Sequence, residues 1–175
     1  MRRTLALPLL LITAMAGCAS SNAFVHVVTL REPLPTISGP SVTDGSQLST
    51  EGYRGKVLVL NVWATWCGPC RYEQPDLVKV ANAYASKGVA FLGVNYQDDD
   101  AKAKSWIKRF AVPYPSLADP SGRTALQLKF AGLPDTIIVD ASGTQRYLFF
   151  GKTTQAEVSH YLDLVLASPS VSPSP

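Results

Sequence analysis

An apolar run, Val57-Leu58-Val59-Leu60-Asn61-Val62-Trp63, leads without a break into Ala64-Thr65-Trp66-Cys67-Gly68-Pro69-Cys70, and a helical pattern follows. A strand that is apolar at odd and even positions alike has to be covered on both faces, which requires a central sheet with helices on either side. The chain is therefore read as α/β, and Cys67 falls on the corner where the strand gives way to the helix. Two cysteines two residues apart at a helix start can close a disulfide with little backbone movement. The partial positive charge of the helix N-terminus stabilises a thiolate on the first of them.

A Cys-x-x-Cys pair is also half of a tetrahedral zinc site, so the other half has to be looked for. The remaining cysteine is Cys18, and the histidines, His26 and His160, stand near opposite ends with no ligand spacing between them. Dithiol chemistry is the better reading, and no metal is expected. Trp63 is expected in the core, whereas Trp66, beside Cys67 on the corner, is expected on an exposed rim.

Arg2 and Arg3 precede an apolar run from Leu5 to Ala16, too short for the roughly 20 residues that span a bilayer. It reads as a cleaved export signal over residues 1–17. Ala16-Gly17-Cys18 resembles the lipobox of bacterial lipoproteins, with Met15 where leucine is more usual. The resemblance implies acylation of Cys18 and an envelope location, lipid-anchored to a membrane. Three thiols then resolve into one anchor and one redox pair. The formal charge of +3 falls by two when Arg2 and Arg3 are removed, which gives no reason to expect nucleic acid. Residues 18–38 are expected as an anchored linker, 39–167 as one domain, and the Ser/Pro-rich stretch 168–175 as a disordered tail.

Within the domain, Asp44-Gly45 marks a hairpin turn between Ser41-Val42-Thr43 and Ser46-Gln47-Leu48. Phe24 to Leu30 is ambiguous. A helix from Cys67 to about Ser86, kinked at Pro75, ends at Gly88. Val89 to Val94 is a second buried strand. Asp98-Asp99-Asp100 opens the next helix, and helix capping is a better reading of these acids than a metal site. Pro113 and Pro115 hold an extended segment to Leu117, and Thr124 to Phe130 forms a short helix. Strands Thr136–Asp140 and Gln145–Phe150 make an antiparallel hairpin, and Gln155 to Leu166 closes the domain as a helix.

The order strand, Trp-Cys-Gly-Pro-Cys, kinked helix, then a proline before a late hairpin resembles the thioredoxin fold from about Gly39 to Leu166. More narrowly, three features resemble the TlpA/ResA-type extracytoplasmic thiol-disulfide oxidoreductases. They are the wording around the cysteines, the run Cys70-Arg71-Tyr72-Glu73-Gln74-Pro75, and Gly132-Leu133-Pro134-Asp135-Thr136 before an apolar strand. The resemblance implies a mixed central sheet flanked by helices, an N-terminal β-hairpin, and a central strand-helix insertion near Gln97 to Asp119.

It further implies that Pro134 is a cis-proline facing the disulfide and that the backbone of Leu133 pairs with an extended substrate. Trp66, Gly68, Pro69 and Asp135 are then expected around the substrate, with Asp135 opposing thiolate formation on Cys67 if it lies close by; a solvated turn residue is an equal reading. Where thioredoxins carry a buried aspartate, this chain has Asn61. The resemblance to the ResA-type subgroup, whose acid Glu73 matches, makes Glu73 the candidate for proton transfer to Cys70; its simpler reading is a surface acid favourable to the helix dipole.

The implied reaction is attack of Cys67 on a client disulfide, followed by displacement through Cys70, with no cofactor beyond the dithiol. Gly68-Pro69 is the dipeptide of thioredoxin, whose potential lies near −270 mV against about −120 mV for the oxidant DsbA, which favours the reducing direction. The expected partners are protein disulfide clients, apocytochrome c among them, and a membrane thiol oxidoreductase as electron donor. An oxidase that donates disulfides and a copper-binding assembly protein on the same fold are the alternatives. A thiol peroxidase suits the paired cysteines less well.

Overall fold

The computed structural model describes residues 26–168. The expected signal, Cys18 and the tail beyond Ser168 lie outside these residues. Strand β1 (His26–Pro33) comes first, then β2 (Ser38–Pro40) and β3 (Gln47–Ser49), then β4 (Val57–Trp63) and α1 (Gly68–Tyr84). After these follow β5 (Val89–Tyr96), α2 (Asp100–Arg109), β6 (Ser116–Asp119), α3 (Arg123–Gln127), β7 (Asp135–Val139), β8 (Thr144–Phe150) and α4 (Gln155–Ala167). Six strands form one mixed sheet in the order β1-β8-β7-β4-β5-β6, and β2 pairs with β3 separately. No helix among the described residues is long and apolar enough to cross a membrane.

All seven residues of β4 are buried, as an apolar run without alternation requires. Val57 and Val59 pack with Leu77, Val80 and Tyr84 of α1 and with Val158, Leu162 and Val165 of α4. The intervening Leu58, Leu60 and Val62 pack on the other face with Leu92, Val94, Ala125, Leu128 and Ile137. The strand's period of two thus divides one sequence run between two cores.

The parallel neighbour β5 and the antiparallel neighbour β7 fix where β4 ends. Because β7 runs the other way, Asp135 at its start pairs with Val62 near the end of β4. That register brings Leu133 and Pro134 beside the corner that carries the cysteines. Gly93 on β5 closes the arrangement, since a Cβ there would stand 2.2 Å from Ser116 Oγ and 2.7 Å from Trp63 Nε1. Only glycine leaves room for Trp63 to donate to Ser116 Oγ at 3.2 Å.

The domain begins earlier than expected. Residues 26–33, read as linker, form β1, hydrogen-bonded antiparallel to β8 as the sheet's edge. Along β1 all eight residues are exposed or half-buried, which is why its sequence carries no clean alternation. The hairpin around Asp44-Gly45 is present but wider than expected. Ser38 pairs with Ser49 and Pro40 with Gln47, while Ser41 leaves to bridge Leu117. The stretch near Gln97 to Asp119 supplies α2 and the edge strand β6. Helix α1 continues through Pro75, and Gly88, at φ +77°, ends the turn that follows it.

Candidate active site

Cys67 and Cys70 are joined by a disulfide at the head of α1. Cys67 is the N-cap residue, and its Sγ accepts the backbone N–H of Cys70 at 3.1 Å. In the reduced protein the same N–H, with the positive end of α1 behind it, stabilises a thiolate on Cys67. Gly68 and Pro69 are exposed, and Trp66 is 59% exposed, so an approaching molecule meets this rim. Cys67 is 5% exposed and Cys70 1%, so Cys67 is the sulfur nearer to solvent.

The Leu133-Pro134 peptide bond is cis, and Leu133 packs against the cluster that contains both cysteines. Trp63 is buried and stacks on Trp106 with centroids 5.4 Å apart. Trp106 Nε1 donates to Gln74 Oε1 at 3.0 Å, and Gln74 Nε2 donates to the Tyr114 hydroxyl at 2.9 Å. Through this bridge α2 is fastened to α1 directly behind the disulfide.

Glu73 is no surface acid. It is 1% exposed; Oε1 accepts from Asn61 Nδ2 at 2.9 Å, and Oε2 accepts from the Thr153 N–H at 3.0 Å and its hydroxyl at 3.3 Å. Burial pushes its carboxyl up to about 7, although the hydrogen bonds from Thr153 and Asn61 work against the rise. The Asp135 charge adds to it. Asn61 Nδ2 also donates to Thr136 Oγ1 at 3.0 Å, and Asn61 Oδ1 is buried with no hydrogen-bond partner among the described residues.

Asp135 is not a solvated turn residue either. It is 2% exposed, and its Oδ2 accepts from the Ala131 N–H at 3.0 Å. Burial raises its carboxyl pKa, partly offset by the N–H groups of Ala131 and Gly132. It was expected around the substrate; buried on β7, it can act there through its field and not by contact.

Of the three acids at α2, Asp99 is the cap, accepting from the Lys102 N–H at 2.9 Å. Asp98 serves the active-site loop instead. Its two oxygens accept from the Thr65 N–H and hydroxyl, both at 2.6 Å, and Asn95 Nδ2 donates to it at 2.9 Å. Burial works against its charge, but these hydrogen bonds outweigh that and hold the carboxyl below its usual range. One residue earlier, Gln97 sits at φ +43° and accepts Trp66 Nε1 on its backbone oxygen at 3.1 Å. The β5–α2 turn therefore grips Thr65 and Trp66, immediately before Cys67.

Asp98→Ala is expected to destabilise the fold by about 2 kcal/mol, because it removes a charged acceptor from donors that are partly buried. Its stabilising effect is present above the ordinary aspartate range and is lost as pH falls through the depressed folded value. Thermal unfolding of Asp98→Ala and the native chain at pH 7 and pH 3 checks this, with the gap between them shrinking at the lower pH.

The redoxin family model matches residues 30–165. The chain belongs to the redoxin family. Three curated relatives, each named thiol:disulfide interchange protein DsbE, are similar to it. The protein of Pseudomonas fluorescens biotype C is 40% identical over 121 residues, covering 69% of this chain and 66% of its own. That of Tatumella citrea is 38% identical, covering 84% and 82%, and that of Escherichia coli K12 is 33% identical, covering 86% of each. Among solved structures, a DsbF homologue from Corynebacterium diphtheriae superposes with a TM-score of 0.74 at 28% identity, covering 83% of this chain and 96% of that one.

This redoxin is thus a DsbE-like thiol-disulfide oxidoreductase on a thioredoxin fold, with Cys67 and Cys70 as its own redox pair. Among its described residues no group of three or more His, Cys, Asp or Glu is placed to hold a metal ion. His26 lies on β1 and His160 on α4.

Sequence reasoning missed Asp98 as a loop anchor and Thr153 as the partner of Glu73. Asp98 carried a signal, since a second acid before the N-cap is surplus to capping. Thr153 carried none, standing 80 positions from Glu73.

Proposed function

We propose that this redoxin reduces protein disulfides outside the cytoplasm, tethered to a membrane of the bacterial envelope through acylated Cys18. The observation that carries the reading is the Cys67–Cys70 pair at the head of α1, with Cys67 Sγ under the Cys70 N–H and beside the exposed Gly68, Pro69 and Trp66. The thiolate of Cys67 attacks one sulfur of a client disulfide, and the other sulfur leaves as a thiolate. Cys70, losing its proton, then attacks Cys67, which closes the intramolecular disulfide and frees the reduced client. Two electrons pass to the client, and a membrane thiol oxidoreductase returns them.

Around this chemistry, Trp66, Gly68 and Pro69 form the rim that the client touches, and the Leu133 backbone beside cis-Pro134 pairs with its extended segment. Asp135 disfavours the Cys67 thiolate through its charge, and Glu73 exchanges the proton of Cys70. The haem-attachment cysteines of apocytochrome c are the proposed client, in line with the TlpA/ResA-type pattern around Cys67 and Pro134.

Thiol trapping in intact cells tests the direction. Cys67 and Cys70 are expected mostly reduced at rest. A pair found mostly oxidised would make the chain a disulfide donor instead.

A further inference from the structure

We propose that the groove between α2 and the start of α1 is a docking site for an acidic segment of the polypeptide whose disulfide is exchanged, an inference that rests on the activity proposed above. The groove encloses about 380 Å³, and Thr65, Arg71, Lys102, Ser105, Trp106 and Arg109 line it. Two of these residues flank the cysteine pair, one in the loop before it and one in the first turn of α1. Thr65 stands two positions before Cys67, and Arg71 follows Cys70 directly. Trp106 is buried, packs in the same cluster as both cysteines, and has the Arg71 guanidinium 5.5 Å from its ring centroid.

The lining is cationic. Arg71, Lys102 and Arg109 are all exposed, and among the described residues none of them takes part in a side-chain ion pair. Of the three neighbouring acids, Asp98 and Asp99 are engaged with Thr65, Asn95 and the head of α2, and Asp100, exposed in the first turn of α2, does not line the groove. Lys102 and Arg109 are seven residues apart, two helical turns, and so project from one side of α2. Three positive charges beside an open groove attract carboxylates, and a client captured at Cys67 has chain to lay there. An extended chain advances roughly 3.3 Å per residue, so the acids that count are those close in sequence to its captured cysteine.

The test uses the reduced full chain and two disulfide-cyclised peptides identical except for glutamates or lysines flanking one cysteine. The acidic peptide is expected to be reduced about tenfold faster at low ionic strength, with the difference closing near 1 M salt. Lys102→Glu/Arg109→Glu should bring the ratio to about one or below, and Lys102→Gln/Arg109→Gln to an intermediate value. Because each ratio is taken within one protein, a general change in reactivity cancels. Equal rates in the native chain, or a preference untouched by both double variants, would overturn the groove and leave the exchange activity standing. If neither peptide were reduced, both readings would fall.

Discussion

Cys70→Ser is expected to stop turnover and leave the chain joined to its client through Cys67. An incoming disulfide meets the outer rim of Trp66, Gly68 and Pro69, and the sulfur nearer that rim is Cys67. Cys70 is 1% exposed, beneath Cys67, with its N–H 3.1 Å from Cys67 Sγ. From there it can displace a bound client but is poorly placed to capture one. Serine in its place retains the backbone N–H and the helix, so the Cys67 thiolate still forms and still attacks. Release then depends on outside thiol, and the steady-state rate should fall at least about a thousandfold, as it does when a group that forms the reacting bond is removed. Mass spectrometry of the stalled adducts would name client and donor together. Cys67→Ser should give no adduct; an adduct on Cys70 in that variant, or turnover by Cys70→Ser, would reverse the assignment.

The parts of this site that could be read in the sequence are those fixed by local pattern. β4 could be read because burial on both faces leaves no polar position except Asn61, and the cysteine pair because its spacing and its place after that strand are contiguous. Pro134 was legible through the residues around it, and the cis bond is present. What stayed hidden depends on partners far along the chain. Glu73 has the sequence of a first-turn surface acid, and only the fold brings the Thr153 N–H and Asn61 to its two oxygens. Asp135 sits in a Pro-Asp pair that suggests a turn, yet its pairing with Val62 places it inside the sheet. β1 is ambiguous in the sequence for the opposite reason, since an edge strand with half-buried residues needs no strict alternation.

Glu73→Gln is expected to remove a pH dependence from both stability and exchange rate, whereas Glu73→Ala should chiefly destabilise. The alanine leaves the Thr153 N–H without its acceptor in a site 1% exposed and opens a cavity between Asn61 and Thr153, at a cost of about 2–4 kcal/mol. The glutamine fills the volume and cannot titrate. In the native chain the carboxyl keeps its proton up to about 7, against an ordinary value of 4.5. Between those values the folded state holds a proton that the unfolded state has released, so stability falls as pH rises through that interval. The contribution is fully present below 4.5 and absent above about 7, a span on the order of 3 kcal/mol. Denaturant titrations across that range should slope downward for the native chain and flatten for Glu73→Gln. The rate distinguishes proton exchange from mere packing. Glu73 lies three residues after Cys70 on α1, one turn on, where side chains of a helix are neighbours. If it passes the Cys70 proton, exchange should show an inflection near pH 7 that Glu73→Gln abolishes while Cys67 alkylation keeps its own profile. An inflection that survives in Glu73→Gln would leave the carboxyl as packing alone and transfer the proton step to another group.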